Sequence, residues 1–162
     1  MAGSQAPPTA PHAATLDASF VIGLCAREPG KYAKAQAELG RRIAAGCSLH
    51  APHLLIMEAC HVLCKKQDAG ETTPQEHAAA LVSLQTLSSL IIFPLRGDAQ
   101  LLARAEQMRG GYGCSRSADS FYLALAEQLA ACGSSELLTF DAGQQRQAAA
   151  VAPGVTVTLL TA

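Results

Sequence analysis

The stretch LLTFDAG at residues 137–143 has the pattern that decides the fold class, namely a short apolar strand, an aspartate and the start of a helix. The stretch TLDASF at residues 15–20 repeats this order, with Asp17 directly after the strand residues. Short strands that alternate with helices predict an α/β fold with a parallel sheet covered on both faces. We therefore expect Asp17 and Asp141 at the carboxyl edge of that sheet, where ligands bind in such folds.

The remainder of the chain continues this alternation. Further strands are expected at about 47–50, 90–93 and 155–159. Helices are expected at about 20–27, 32–44, 52–65, 74–87, 98–108, 117–131 and 142–151. Asp98 is predicted to cap the helix that it begins, and GGYG at 110–113 is predicted to be a flexible loop. The Pro- and Ala-rich residues 1–14 are expected to form a disordered arm, and residues 15–162 a single domain.

Composition excludes several functional classes. The 162 residues are 49% hydrophobic and 15% charged, with a formal net charge of -1. This balance excludes a strongly basic nucleic-acid coat and an acidic disordered chain, and it predicts weak non-specific RNA affinity. No apolar run approaches the ~20 residues that a membrane span needs, so no membrane association is expected. The sequence shows no signal peptide, which predicts a cytoplasmic protein with six reduced cysteines.

Two further acids lie on helix faces that are otherwise apolar. Glu58, in PHLLIMEACHVLC, has apolar neighbours three and four positions away. Because burial of a lone carboxylate is unfavourable, we expect it to be compensated either by His61, one turn away, or by a bound metal ion. Asp119, in RSADSFYLALAEQL, lies near a helix start, where the helix dipole favours an acid, and it shares its face with Tyr122.

Each acid has a structural explanation, but the four together favour a metal site. Asp17 and Asp141 follow strands and suit helix caps, and Asp119 suits a first helical turn. All four acids, Glu58 included, nevertheless fall where a parallel sheet gathers side chains at one edge. Close carboxylates repel one another unless a cation neutralises them, and carboxylate oxygens suit Mg²⁺ or Mn²⁺. The pattern therefore indicates metal-assisted phosphodiester hydrolysis.

Four fragments in this order carry a family resemblance. They are LDAS with Asp17, APHLLIME with Glu58, ADSFYLALAEQL with Asp119, and LLTFD with Thr139 and Asp141. With this spacing from about residue 15 to 160, the chain resembles PIN-domain nucleases, and more narrowly the VapC-type ribonuclease toxins of toxin–antitoxin pairs. The stretch after the fourth acid departs from the family pattern, since Gln144, Gln145 and Arg146 stand where an apolar residue is common. This departure leaves the exact placement of Asp141 open.

The resemblance implies a three-layer α/β/α sandwich with a short central parallel sheet and an endoribonuclease activity on single-stranded or loop RNA. It implies that Mg²⁺ or Mn²⁺ is held by four catalytic acids, Asp17, Glu58, Asp119 and Asp141. Ser19 and Thr139 would orient these carboxylates by hydrogen bonds, and Arg116 would either contact a substrate phosphate or be a solvated surface residue. The implied partners are a second copy of the chain and an antitoxin, whose helix or strand would cross an apolar groove and direct an arginine at the acids.

Three other interpretations compete with this one. A non-catalytic PIN-like binding domain would be indicated by loss of an acid, and all four are present. A phosphatase of the haloacid dehalogenase kind needs a second aspartate two residues after Asp17, where the chain has Ser19. A zinc site is the third alternative, because Cys60 and Cys64 lie one helical turn apart. Its candidate ligands are His50, His53, Cys60, His61 and Cys64.

Overall fold

The computed structural model describes residues 12–162, and within this range five strands form one parallel sheet flanked by seven α-helices. The strands are β1 (Ala13–Leu16), β2 (Ser48–His50), β3 (Ile91–Ile92), β4 (Ser135–Thr139) and β5 (Thr156–Leu159). The helices are α1 (Ala18–Cys25), α2 (Tyr32–Ala44), α3 (Leu54–Asp68), α4 (Pro74–Ser88), α5 (Leu102–Tyr112), α6 (Ser117–Ala130) and α7 (Ala142–Val151). The predicted α/β class with a short parallel sheet is confirmed.

The sheet has the strand order β3-β2-β1-β4-β5. Helix α1 packs against α2, α3 and α4, whereas α5 packs against α6 and α7, so the helices form two layers. Right-handed crossovers place these two groups on opposite faces of the sheet, which gives the predicted three-layer sandwich. The strand that follows β1 in the chain, β2, lies on one side of it in the sheet, whereas the strand that follows β4, β5, lies on the opposite side. This reversal between β1 and β4 creates the crevice at which α/β proteins bind ligands.

The two central strands lie in the middle of the hydrophobic core. Every residue of β1 and β4 is buried, as expected for strands covered on both faces. The largest buried side chains against them include Phe20 on α1 and Tyr122 on α6. The carboxyl ends of β1 and β4 are therefore held firmly, and the residues that follow them have fixed positions.

Local capping signals determine where several helices begin. Asp17 accepts a hydrogen bond from the Ser19 backbone N–H at the start of α1, and Asp141 accepts one from Gly143 at the start of α7. Thr73 and Glu76 form a reciprocal capping box before α4. The capping role expected of Asp17 and Asp141 is thus confirmed, and each acid keeps a second oxygen for other contacts.

The predicted role of Asp98 is wrong. A 3₁₀ turn, Asp98–Leu101, precedes α5, and the Asp98 side chain does not cap its own helix. Both carboxylate oxygens accept backbone hydrogen bonds of 2.7 Å from another helix start, at His53 and Leu54. Asp98 therefore caps α3 across the fold, because the free N–H groups of α3 need acceptors and His53 offers no capping bond.

Two predicted boundaries also need correction. The expected arm at 1–14 extends too far, since Ala13 and Ala14 belong to β1 and are buried, while residues 1–11 lie outside the described part of the chain. The expected GGYG loop is mostly helical, because α5 continues to Tyr112. Only Gly113, with φ of 91°, leaves the helix, in a left-handed conformation that favours glycine.

The amino end of β4 contains a buried ion pair that the sequence did not reveal. Glu136 accepts hydrogen bonds from Nε and Nη2 of Arg42 at the end of α2, and from the Thr158 hydroxyl on β5. Both charged side chains are largely buried. This pair ties α2 to the sheet at the edge opposite the candidate site.

No helix within residues 12–162 combines the length and apolarity needed to cross a bilayer. All six cysteines are free thiols, and Cys64, Cys114 and Cys132 are exposed.

Candidate active site

Asp17 lies at the carboxyl end of β1 and is only 4% exposed. Its Oδ2 accepts hydrogen bonds from the Ser19 backbone N–H at 3.0 Å, from the Ser19 hydroxyl and from the Thr139 hydroxyl at 2.9 Å. Burial raises the pKa of Asp17, and the nearby Asp119 charge raises it further, although the hydroxyl hydrogen bonds act in the opposite direction. The hydroxyls orient the carboxylate but bring no positive charge.

The same two hydroxyls join the ends of β1 and β4. The Ser19 hydroxyl lies 3.2 Å from the Thr139 hydroxyl and accepts a hydrogen bond from the Phe140 N–H. The Thr139 hydroxyl accepts another from the Asp141 N–H, at 2.9 Å. Ser19 and Thr139 thus fix Asp17 and the backbone before α7 in one network, which is the orienting position that the resemblance implies for them.

Glu58 reaches the same region from α3. Its Oε2 accepts a hydrogen bond of 2.8 Å from the hydroxyl of Tyr122, which is fully buried. Burial raises the pKa of Glu58, and the charges of Asp17 and Asp119 raise it further. The three acids are therefore close enough to disfavour ionisation of one another.

The alternative in which His61 compensates Glu58 is wrong, since no hydrogen bond or ion pair joins the two residues in the described part of the chain. His61 is exposed, one turn along α3. The hydroxyl of Tyr122 on α6 donates to the carboxylate instead. The sequence showed Tyr122 only as a neighbour of Asp119, three residues away on the same helical face.

Arg116 bridges the other two acids. Its Nη1 donates to Oδ2 of Asp119 at 2.8 Å and to Oδ2 of Asp141 at 2.6 Å. The side chain is 28% exposed, so the alternative of a solvated surface arginine is wrong. Arg116 and Asp119 have the i,i+3 spacing of helical ion pairs, so the sequence indicates the contact between them. It gives no such signal for the contact between Arg116 and Asp141.

The pKa values of the two acids that Arg116 bridges, Asp119 and Asp141, shift in opposite directions. Burial raises the pKa of Asp119 despite the contact with Arg116. Burial acts in the same direction on Asp141, but the hydrogen bonds from Arg116 and Gly143 outweigh it and lower the pKa of Asp141. Asp141 is thus the acid most fully compensated by the protein itself.

An open, mostly apolar groove of about 510 Å³ borders Glu58 between α3 and α6. Met57, at 76% exposed, lies on its rim. Its lining residues are Leu54, Met57, Glu58, His61, Ser117, Ala118 and Phe121. Of the four candidate acids, Glu58 lines the groove, so a ligand lying in it would contact that carboxylate.

The four acids lie at one edge of the sheet, but they are not arranged as a metal-binding site. Within residues 12–162, no three His, Cys, Asp or Glu side chains are arranged so that they could hold one ion. This also excludes a formed zinc site from His50, His53, Cys60, His61 and Cys64. For the four acids, the reason is visible in the contacts, because Arg116 draws Asp119 and Asp141 to itself while Tyr122 holds Glu58.

Comparison with known proteins adds no assignment, because no protein-family model matches the chain and no curated protein matches it at a significant level.

Proposed function

We propose that the protein is a divalent-metal-dependent endoribonuclease of the PIN-domain type that cleaves RNA phosphodiester bonds. The observation that carries this proposal is Asp17, a buried carboxylate at the point where the strand order reverses, compensated only by neutral donors. Glu58 and Asp119 lie close enough for their charges to be coupled to it. Such uncompensated negative charge is what a bound dication would neutralise.

The donor set fits a hard cation. All four candidate ligands are carboxylates, which suit Mg²⁺ or Mn²⁺ better than zinc or copper. A cation already occupies part of the site, since the Arg116 guanidinium contacts Asp119 and Asp141. Glycine at position 143 makes room for this cation, because a Cβ there would overlap the guanidinium. Asp119, Asp141 and Gly143 therefore accommodate one positive charge, that of Arg116.

Asp17, Glu58 and Asp119 would hold the ion, and Asp141 would complete the site directly or through water. When bound, the ion supplies polarisation of a phosphate oxygen and activation of a water molecule. Ser19 and Thr139 keep the Asp17 carboxylate in one orientation, as outer hydrogen bonds to metal ligands do. The Arg116 Nε makes no hydrogen bond within residues 12–162, so it is available to a substrate phosphate oxygen.

The resemblance, rather than the site itself, supports RNA as the substrate and VapC-type toxin as the biological role. We include in the proposal a cytoplasmic location, a homodimer and an antitoxin that contacts the groove between α3 and α6. The net charge of -1 supplies little general attraction to phosphates. Selection of RNA therefore depends on the site, on a dimer surface or on a partner.

The test compares RNA cleavage by the wild type, Asp17→Asn and Asp68→Asn in Mn²⁺ and in EDTA. Asp17→Asn removes a ligand charge but retains the shape and a capping oxygen, so we expect cleavage to fall by more than about 100-fold, beyond the range for loss of an outer hydrogen bond. Asp68→Asn makes the same chemical change at the exposed end of α3 and should leave cleavage unchanged. Equal Mn²⁺-dependent cleavage by Asp17→Asn would contradict the proposal.

A second candidate function is a non-catalytic PIN-like binding domain. It is favoured by one observation, that the described acids are held by Arg116 and Tyr122 and no three of them form a metal cage. The two candidates differ in their metal dependence. A binding domain would retain an intact fold yet show no Mn²⁺-dependent cleavage in wild type or in variants.

A further inference from the structure

Arg116 lies between the starts of two helices that carry candidate acids. It lies at the end of the 3₁₀ turn Cys114–Arg116, immediately before α6, and its side chain points back over the start of α7. One nitrogen, Nη1, makes both carboxylate hydrogen bonds. The bridge therefore joins the first turn of α6 to the N-cap of α7, which lie on different segments of the chain.

The fold leaves space for this bridge. The guanidinium lies against the backbone of Gly143, and any side chain at that position would overlap Cζ and both terminal nitrogens. The Asp141 Oδ1 is occupied by the Gly143 N–H at 2.6 Å, so Arg116 takes the oxygen that remains, Oδ2. Both carboxylate oxygens of Asp141 are thus in use in the structure.

We propose that Arg116 is an internal cation of the acid site, which a divalent ion must displace from Asp119 and Asp141 in order to bind all four acids. This inference rests on the proposed metal site. While the bridge is in place, both carboxylate oxygens of Asp141 and the Oδ2 of Asp119 are occupied, so direct ligation by Asp141 competes with Arg116. Repulsion between the two cations acts in the same direction.

The proposal explains why the four acids share an edge without forming a metal cage. With the bridge in place, Asp119 and Asp141 face Arg116, while Asp17 and Glu58 face their hydroxyl donors. Displacement of the guanidinium would free two carboxylate oxygens and one arginine at the same time. Arg116 is a positioning residue in this scheme, since it acts through the acids.

The first experiment measures Mn²⁺ affinity by calorimetry with the full chain as wild type, Arg116→Gln, Arg116→Lys and Arg41→Gln. Removal of the competitor should tighten Mn²⁺ binding by Arg116→Gln about tenfold, within the usual range of coupling between two binding events. Arg116→Lys keeps the charge but not the planar fork, so its affinity should lie between those of the wild type and Arg116→Gln.

Arg41→Gln is the matched control, because Arg41 is an exposed arginine that pairs with Glu38 on α2. It removes the same charge away from the site and should bind Mn²⁺ as the wild type does. An unchanged or weaker affinity in Arg116→Gln overturns the proposal. So does an equal gain in Arg41→Gln, which would indicate a general effect of net charge.

A second measurement uses the wild type and therefore does not depend on folding of a variant. In ¹⁵N-arginine-labelled protein, the Arg116 Nε–Hε signal, assigned by its absence in Arg116→Lys, should shift when Mg²⁺ is added. A signal unaffected at saturating Mg²⁺ overturns the displacement.

The outcomes also separate this proposal from the proposed function. If wild type binds no Mn²⁺, both fail. If Mn²⁺ binding depends on Asp17 but Arg116→Gln gains no affinity, the metal site stands and the displacement fails. If Arg116→Gln binds more tightly while Asp17→Asn binds as wild type does, the competition at Asp119 and Asp141 stands and the four-acid site fails.

Discussion

Asp17 and Glu136 are two acids buried to the same degree, each 4% exposed, at opposite edges of one sheet. Glu136, at the amino end of β4, receives two N–H donors from Arg42 and a hydroxyl from Thr158. Asp17, at the carboxyl end of β1, receives only neutral donors, and within residues 12–162 no cation lies at ion-pair distance from it. The two edges thus differ in how buried charge is compensated.

This difference in compensation indicates a structural role for Glu136 and leaves Asp17 available to a ligand. A buried carboxylate is stable when a partner charge and hydrogen bonds replace its lost hydration. Glu136 has both, whereas Asp17 has hydrogen bonds alone, and burial raises the pKa of Asp17. Glu136 at the amino edge therefore has a partner charge, whereas Asp17 at the carboxyl edge has none within residues 12–162, and it is there that we propose a cation to bind.

The largest effect is expected where a partner charge is removed. Arg42→Met leaves Glu136 buried and unpaired, so we expect the free energy of unfolding to fall by about 3–5 kcal/mol. Asp17→Asn in metal-free buffer should change it by less than about 1 kcal/mol, because no ion pair is broken and asparagine also caps helices well. Denaturant unfolding in EDTA measures both values.

The double variant Arg42→Met with Glu136→Leu is the control for lost packing. Since replacement of both members of a buried pair is often neutral, it should recover most of the loss. If Asp17→Asn destabilises the protein as strongly as Arg42→Met does, the two acids are equivalent structural elements and the comparison fails.

A smaller effect is expected from the hydroxyls at the two edges. Thr139→Val removes a donor to Asp17 and an acceptor for the Asp141 N–H, and it leaves Asp17 with fewer of its neutral donors. We expect a loss of about 1–3 kcal/mol, the usual range when a buried polar group loses its partner. Thr158→Val leaves Glu136 paired with Arg42 and should cost about 0.5–1.5 kcal/mol. Equal losses in thermal or denaturant unfolding would remove the distinction between the edges.

The smallest effect concerns pH. An acid whose pKa is raised by folding binds its proton more tightly in the folded state, so it destabilises the protein as pH rises above its ordinary value, 4.5 for Glu58. Glu58→Gln removes this contribution and can still accept from Tyr122. The variant should match the wild type near pH 4 and be the more stable protein at pH 7 without metal. A large loss of stability at pH 7 would instead make Glu58 a structural partner of Tyr122.

Features that depend on adjacent residues were predictable from the sequence. The strand, aspartate and helix order placed Asp17 and Asp141 correctly as caps after β1 and β4. The bounds of α2 and α7 match those expected, 32–44 and 142–151. Capping and periodicity are encoded within a few residues, so a single sequence is enough to read them.

Features that depend on distant contacts were not predictable in the same way. The hydrogen bond between Tyr122 and Glu58 joins residues 64 positions apart, and Arg116 reaches Asp141 across 25 positions. Asp98 caps α3 from 44 and 45 residues away. A local pattern shows that a helix end or a buried acid needs a partner, but the tertiary fold decides which residue supplies it.

The most direct test is an anomalous difference map from a crystal of the wild type soaked in Mn²⁺. We expect one strong peak at the carboxyl edge of the sheet, about 2–2.5 Å from oxygens of Asp17, Glu58 and Asp119, the distance range of hard-cation ligation. A map without a peak there, with Asp17 still bonded only to Ser19 and Thr139, would contradict a cation-binding role for this edge.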